Sequence, residues 1–196
     1  KVAVAWEDHS SEPQRIRVRV WGGDRWGRPG TVSGPSKASH RPILAAGPEG
    51  ELWAFWDRYD NPDYAIHGRR ITPDPGSIER ISPPGKSSLK PTAVHGSAGG
   101  LVVAWVANID VIGGEGAIDQ WNTLQAARLN DGRWQVLQRG GSADLANLSH
   151  GLLFPMEPEP GIVTGYSGRR RHPMLVEDAG EVWLLWEHKM VIHRST

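Results

Sequence analysis

The chain has 196 residues, no cysteine, and 22 acidic residues against 22 basic ones. This charge balance offers no broad basic surface for a dedicated nucleic-acid-binding protein, and the lack of cysteine excludes disulfides, thiolate metal sites and a cysteine nucleophile. No run of 18 apolar residues occurs, so no membrane span is predicted. The 24 Gly and 15 Pro disfavour long helices and favour short strands joined by turns.

The chain opens with an apolar run that ends in tryptophan, VAVAW at 2–6, and later segments repeat it. The repeats lie at 52–56, 101–105 and 182–186. Each repeat follows a Gly-containing turn and an earlier apolar run that begins with proline, at Pro42, Pro91 and Pro173. Two short apolar runs around a Gly turn predict a β-hairpin. The first copy has no such Pro-led partner.

A third and a fourth segment of strand character follow each hairpin. Third strands are predicted at 16–21, 64–71 and 123–129, and from Val191 in the last copy, and fourth strands at 77–81 and 134–137. Successive run-ending tryptophans lie 50 and 49 residues apart, at Trp6, Trp56 and Trp105. Four antiparallel strands at this period predict an all-β fold, a β-propeller built of blades of about 49 residues. The length predicts a segment of about four blades from a six- to eight-bladed ring.

We predict a single β-propeller segment over 1–196. Its parts are a partial blade at 1–39, blades at 40–88 and 89–140, an insertion at 141–170 and a partial blade at 171–196. Strand one of the first blade is expected to be missing, which leaves the edge of 2–6 open for the remainder of the same polypeptide or a neighbouring chain. The alternative is a four-bladed ring that closes irregularly.

The tryptophans that end the apolar runs predict the core between blades. They are Trp6, Trp56, Trp105 and Trp186. Each has a broad apolar face, and burying one such side chain of ~200 Å² contributes on the order of 5 kcal/mol before entropy is counted.

The repeated unit, P-x-apolar, a Gly turn, W-x-x-W-[DE] and then an I-x-x-R-R strand, resembles the sialidase-like and BNR-like family of bacterial six- to eight-bladed propellers. The resemblance covers most of the chain and implies propeller architecture. Neither the sialidase Asp-box, S-x-D-x-G-x-T-W, nor the Arg-Ile-Pro motif of the sialidase active site occurs in the sequence. The resemblance therefore concerns the blade repeat rather than an active site.

Basic residues begin the Pro-led strands, and acidic residues follow the run-ending tryptophans. Two insertions, 108–121 and 140–171, are expected to project over the same rim as these charges. The charges predict either ion pairs that join one blade to the next or a site for an anionic or carbohydrate ligand. The predicted ligand-binding residues are Arg41, Asp57, Lys90, Tyr166, Arg169, Arg171, His172 and Glu187.

The predicted function is a non-catalytic binding or scaffolding module of a larger protein, with no catalytic residue and no cofactor assigned. The alternative is a glycan-active, sialidase-like hydrolase or lyase that would use acids and Tyr166 around the same rim. Calcium at Asp110, Glu115 and Asp119 is a secondary alternative, although their spacing matches no standard calcium loop. The lack of cysteine fits a periplasmic or secreted protein as well as a cytosolic one.

Overall fold

The computed structural model describes residues 2–85, 87–96, 100–112, 118–137 and 166–192. Within these ranges the side chains at 108–112, 118–123, 166–171 and 186–192 are outside the description. The described ranges hold thirteen β-strands and no helix, which confirms the all-β prediction. A membrane-spanning helix is therefore not found in them.

The strands form four antiparallel units in chain order. Unit I comprises β1 (Val2–Asp8), β2 (Arg15–Trp21) and β3 (Gly30–Thr31). Unit II comprises β4 (Ser39–Ala46), β5 (Leu52–Tyr59), β6 (Tyr64–Thr72) and β7 (Glu79–Arg80). Unit III comprises β8 (Ser88–Gly96), β9 (Gly100–Ile112), β10 (Ile118–Asn130) and β11 (Arg133–Leu137). Unit IV comprises β12 (Tyr166–Asp178) and β13 (Glu181–Ile192). The two predicted four-stranded antiparallel meanders are confirmed as units II and III.

A single parallel bridge, between Asn122 and Arg169, joins units III and IV. All other ladders among the described strands connect neighbours in sequence and are antiparallel. Within the described ranges no ladder joins unit I to unit IV.

Each Pro-led strand carries a β-bulge opposite the run-ending tryptophan. In unit II, His40 pairs with Asp57 and Ile43 pairs with Phe55. The two residues between them, Arg41 and Pro42, therefore lie opposite the single residue Trp56. The same irregularity lies between Leu89 and Thr92 in unit III and between Arg171 and Met174 in unit IV.

The residue before proline adopts a left-handed conformation in all three bulges. The φ angles are +52° at Arg41, +56° at Lys90 and +51° at His172. Positive φ is unusual for residues with a Cβ, and proline has no N–H for the ladder, so a bulge accommodates both features. The sequence pattern basic residue–proline thus produces one local geometry three times.

The units stack face to face because alternate residues of a strand point to opposite sides of its sheet. On one face of β5, Trp56 is buried with Ile16 of unit I. On the other face, Phe55 is buried with Trp105 of unit III. Unit III repeats this arrangement towards unit IV, where Ala104 clusters with Leu175.

The tryptophan prediction is confirmed for Trp56 and Trp105, which are fully buried between units. Trp6 is half-buried, and the side chain of Trp186 lies outside the described residues.

The prediction that the first insertion, 108–121, is an irregular loop is wrong over most of its length. Strand β9 continues to Ile112 and β10 already begins at Ile118, and the two pair throughout. The β-branched residues Ile109, Val111 and Ile118 favour this long hairpin. Residues 113–117 lie outside the description.

The structure also differs from two boundaries expected in unit IV. Val191 was predicted to begin a third strand, but it belongs to β13 and pairs with Ser167. Strand β12 begins at Tyr166, so the last residues of the second predicted insertion are strand. The rest of that insertion, at 140–165, lies outside the described residues.

Candidate functional site

The predicted rim is the end of the sheets where the Pro-led strands begin and the following strands end. Antiparallel pairing brings the start of β4 beside the end of β5, and unit stacking brings the start of β8 to the same end. The rim site is defined here by six residues. They are Glu7, His40, Arg41, Asp57, Tyr64 and Lys90.

Asp57 is the buried centre of the rim site. Its carboxylate accepts two hydrogen bonds from Arg41, from Nε at 2.6 Å and from Nη2 at 2.8 Å. The backbone N–H of Lys90, in the next unit, donates to the same carboxylate at 2.9 Å. Asp57 is 0% exposed, and burial raises its pKa although Arg41 and Lys90 act in the opposite direction. Asp57 therefore both orients Arg41 and joins unit II to unit III.

Glu7 makes the corresponding contact between units I and II. It accepts the backbone N–H of Arg41 at 2.9 Å and lies 3.3 Å from His40 Nδ1. Burial raises the pKa of Glu7, but the hydrogen bonds from Arg41 and His40 outweigh this and leave the pKa below its ordinary value. In unit III the equivalent position is Val106, whose side chain has no acceptor.

The acids of the rim contact the next unit through hydrogen bonds from backbone N–H groups, whereas the Arg41–Asp57 ion pair lies within unit II. An acid that follows the run-ending tryptophan accepts the N–H of the next unit's bulge residue, at Glu7 and again at Asp57. Charge-assisted hydrogen bonds of this kind are stronger than neutral ones.

Arg41 also has a side that remains open to solvent. Its side chain is 41% exposed, and Nη1 has no hydrogen-bond partner among the described residues. The guanidinium carbon lies 5.9 Å from the ring centroid of Tyr64, which also contacts the rings of His40 and Tyr59. A cation held by a buried carboxylate thus lies above a small aromatic surface.

Of the predicted ligand-binding residues, the structure brings together Arg41, Asp57 and the backbone of Lys90. In unit IV, Arg171 pairs with Glu187 as His40 does with Asp57, and His172 is the exposed bulge residue.

Tyr166 and Arg169 lie farther along β12, opposite Ile192 and Lys189. At about 3.3 Å per residue, Tyr166 is about 20 Å from the bulge along the strand. The side chains of Tyr166, Arg169, Arg171 and Glu187 are outside the description.

A second charged cluster at this end of unit II was not predicted. Its centre is Asp60, in the turn between β5 and β6, and its four partners come from four different segments. Asp60 contacts Lys37 at 3.0 Å, Arg58 at 2.9 Å, and Arg80 and His67 at 3.4 Å each. Burial raises the pKa of Asp60, but hydrogen bonds from Arg58 and Lys37 leave it lowered overall. The sequence places Asp60 in a turn but gives no sign that these basic residues from other segments surround it.

His67 provides a prediction about pH. Burial, and then the charge of Arg58, lower its pKa to about 4. Folded His67 therefore binds its proton more weakly than the unfolded chain, where the pKa is about 6.5. The stability contributed by His67 is complete above pH 6.5 and is lost as the pH falls towards 4, by up to about 1.4 kcal/mol per pH unit.

Urea unfolding of the wild type and of His67→Gln between pH 7.5 and 4 measures this contribution. The difference between the two curves should shrink as the pH falls below 6.5. The control is Ser36→Ala, an exposed substitution that removes no titratable group and should leave the pH dependence unchanged. Parallel curves for wild type and His67→Gln would show that His67 does not titrate as stated.

A cavity of about 360 Å³ opens at the opposite end of units I and II. Its lining is mostly apolar, with Ala3, Val20 and Leu44 among its residues. Its single acid, Glu51, already accepts from the backbone of Glu49 and from Trp53 Nε1. Ligand sites usually combine an apolar wall with several convergent polar groups, so the rim is the better candidate.

No group of three or more potential metal ligands is found among the described residues. The side chains of the predicted calcium ligands, Asp110, Glu115 and Asp119, lie outside that part of the chain.

Comparisons with protein-family models and with curated proteins found no match for this chain.

Proposed function

We propose that the chain forms part of a β-propeller that acts as a non-catalytic binding module. The support is the repeat: three units share one strand register and one bulge, and the units stack face to face in chain order. Rigid stacked sheets of this kind commonly present ligand sites where strand connections meet at one end.

We propose an anionic or carbohydrate ligand for the rim site. The observation that carries this proposal is the open side of Arg41, whose fork is held by Asp57 while Nη1 faces no described partner. A guanidinium fixed in this way is suited to a carboxylate, since little side-chain freedom remains to be lost on binding. Tyr64, whose ring lies beneath this guanidinium, and the exposed Tyr59 beside it add aromatic side chains of the kind that contact sugar rings.

The enzymatic alternative gains no specific support from the described residues. Among the acids expected to act in it, Asp57 is fully buried and bound to Arg41, so it is not placed to attack or protonate a substrate. The geometry favours Asp57 as a positioning group for Arg41.

A glycan array followed by calorimetry tests the ligand proposal, with Arg41→Lys and Tyr64→Leu as variants. Lysine retains a cation beside Asp57 but loses the planar fork and its free N–H, so binding of the best array ligand should weaken at least about fivefold. We expect the thermal midpoint of Arg41→Lys to change much less than that of Arg41→Ala, which leaves Asp57 without its cation.

The control is Arg25→Ala, which removes an exposed arginine near the far end of β2 and should not alter binding. Arg171→Ala extends the test to unit IV, where binding should weaken by more than about 1 kcal/mol without loss of stability if Arg171 contacts the ligand. Variants that lose stability but bind normally would leave the charges with a structural role alone. An array without any binder would contradict the proposal itself.

A further inference from the structure

Strand β1 differs from its counterparts in the other units in one respect. In units II, III and IV the equivalent strands β5, β9 and β13 each pair with a Pro-led strand. Strand β1 pairs only with β2 in the described residues, and no described strand lies along its other edge. Val2 and Val4 on this strand are 58% and 44% exposed. An apolar edge with unpaired backbone groups is a ready template for strand addition.

The three existing pairs show which strand fits such an edge. In each, the partner is antiparallel, and its basic residue and proline bulge out opposite the tryptophan. The basic residue is Arg41, Lys90 or His172. By the same register, a partner of β1 would place its bulge opposite Trp6 and the preceding residue opposite Glu7.

The charge of Glu7 matches this register. Asp57, its counterpart, accepts a hydrogen bond from a backbone N–H of the next unit. It also accepts two hydrogen bonds from the guanidinium of Arg41, which belongs to its own Pro-led strand. Glu7 accepts a backbone N–H hydrogen bond from the next unit and contacts His40 and His9. Among the described residues, no arginine side chain donates a pair of hydrogen bonds to it. Its side chain is 27% exposed, whereas that of Asp57 is 0%.

We propose that the outer edge of β1 binds an extended antiparallel segment that carries an arginine–proline pair. The arginine forms a fork with Glu7, as Arg41 does with Asp57, and the apolar residues after the proline pair with residues 2–5. This inference rests on the repeat in units II to IV and does not depend on a ligand at the rim.

The test uses the chain 1–196 and a synthetic peptide with the sequence of residues 38–46, ASHRPILAA. Calorimetry measures binding, and amide hydrogen exchange locates it. We expect the peptide to slow exchange in 2–8, and a peptide with glutamine at its arginine position to bind at least about fivefold more weakly.

A double-mutant cycle with Glu7→Gln examines the ion pair. Glu7→Gln should weaken binding of the arginine peptide by the same factor. Because the ion pair is then already absent, the Glu7→Gln protein should bind the glutamine peptide with nearly the same affinity as the arginine peptide. The control variant Asp24→Asn, on an exposed turn, should bind both peptides as the wild type does. The glutamine peptide keeps the ion-pair test valid if Glu7→Gln folds poorly.

Three results would overturn the proposal. One is unchanged exchange in 2–8 at saturating peptide, and another is equal affinity for the arginine and glutamine peptides. The third is protection of 2–8 that rises with protein concentration alone, because the edge would then accept a second copy of the chain.

Discussion

Trp105→Ala is expected to lower the free energy of unfolding by about 3–5 kcal/mol, the usual cost of deleting a large aromatic core side chain. Trp105 is fully buried in the cluster that joins units II and III, beside Phe55 and Val103. Close-packed interiors refill such a space only in part, so both the lost burial and the remaining cavity contribute.

Urea unfolding followed by circular dichroism measures this loss. Tyr59→Ala removes an aromatic side chain that is exposed, and it should cost less than about 1 kcal/mol. Equal costs for the two variants would contradict the assignment of Trp105 to the contact between units. Trp56→Ala should resemble Trp105→Ala, because Trp56 fills the equivalent position between units I and II.

Asp57→Ala is expected to lower the free energy of unfolding by about 3 kcal/mol, near the lower end for breaking a buried ion pair. The change leaves the N–H of Lys90 without its acceptor and releases the arginine fork. The cost should not reach the upper end of the range, because Arg41 is partly exposed and water can solvate it.

A set of acid substitutions isolates the cause of this loss. Glu7→Ala, at the equivalent but more exposed position, should cost less than Asp57→Ala, and Glu49→Ala, on an exposed turn, should cost little. Combining Asp57→Ala with Arg41→Ala should cost less than the sum of the two, because each single change already breaks the pair. Strict additivity would show that the two side chains do not stabilise the fold through each other.

Local features of the sequence predicted the strands well. Period-two alternation, Gly turns and the 49–50-residue repeat depend on neighbours along the chain, and units II and III follow the expected order. Predictions of where strands end were less accurate, as at Ile112 and Val191. A strand continues for as long as its partner offers backbone hydrogen bonds, and the residue types alone do not specify that length.

The rim illustrates what could be predicted of the site. The repeat predicted that Arg41, Asp57 and Lys90 lie at one end of the sheets, because antiparallel geometry determines where strands begin and end. It did not reveal that the link to unit III is the backbone N–H of Lys90. That contact follows from the left-handed bulge and the stacking of unit III on unit II.

By itself, the sequence determined the all-β class, the repeat and the residues that could carry charge at the rim, since these follow from periodicity and residue type. Tertiary structure alone decided that Asp57 is buried while Glu7 stays partly exposed, although both follow a tryptophan in the same repeat. It also gathered Lys37, Arg58 and Arg80 around Asp60 from separate segments. Burial and ion pairing depend on which other segments cover a residue, and that is settled only when the sheets stack.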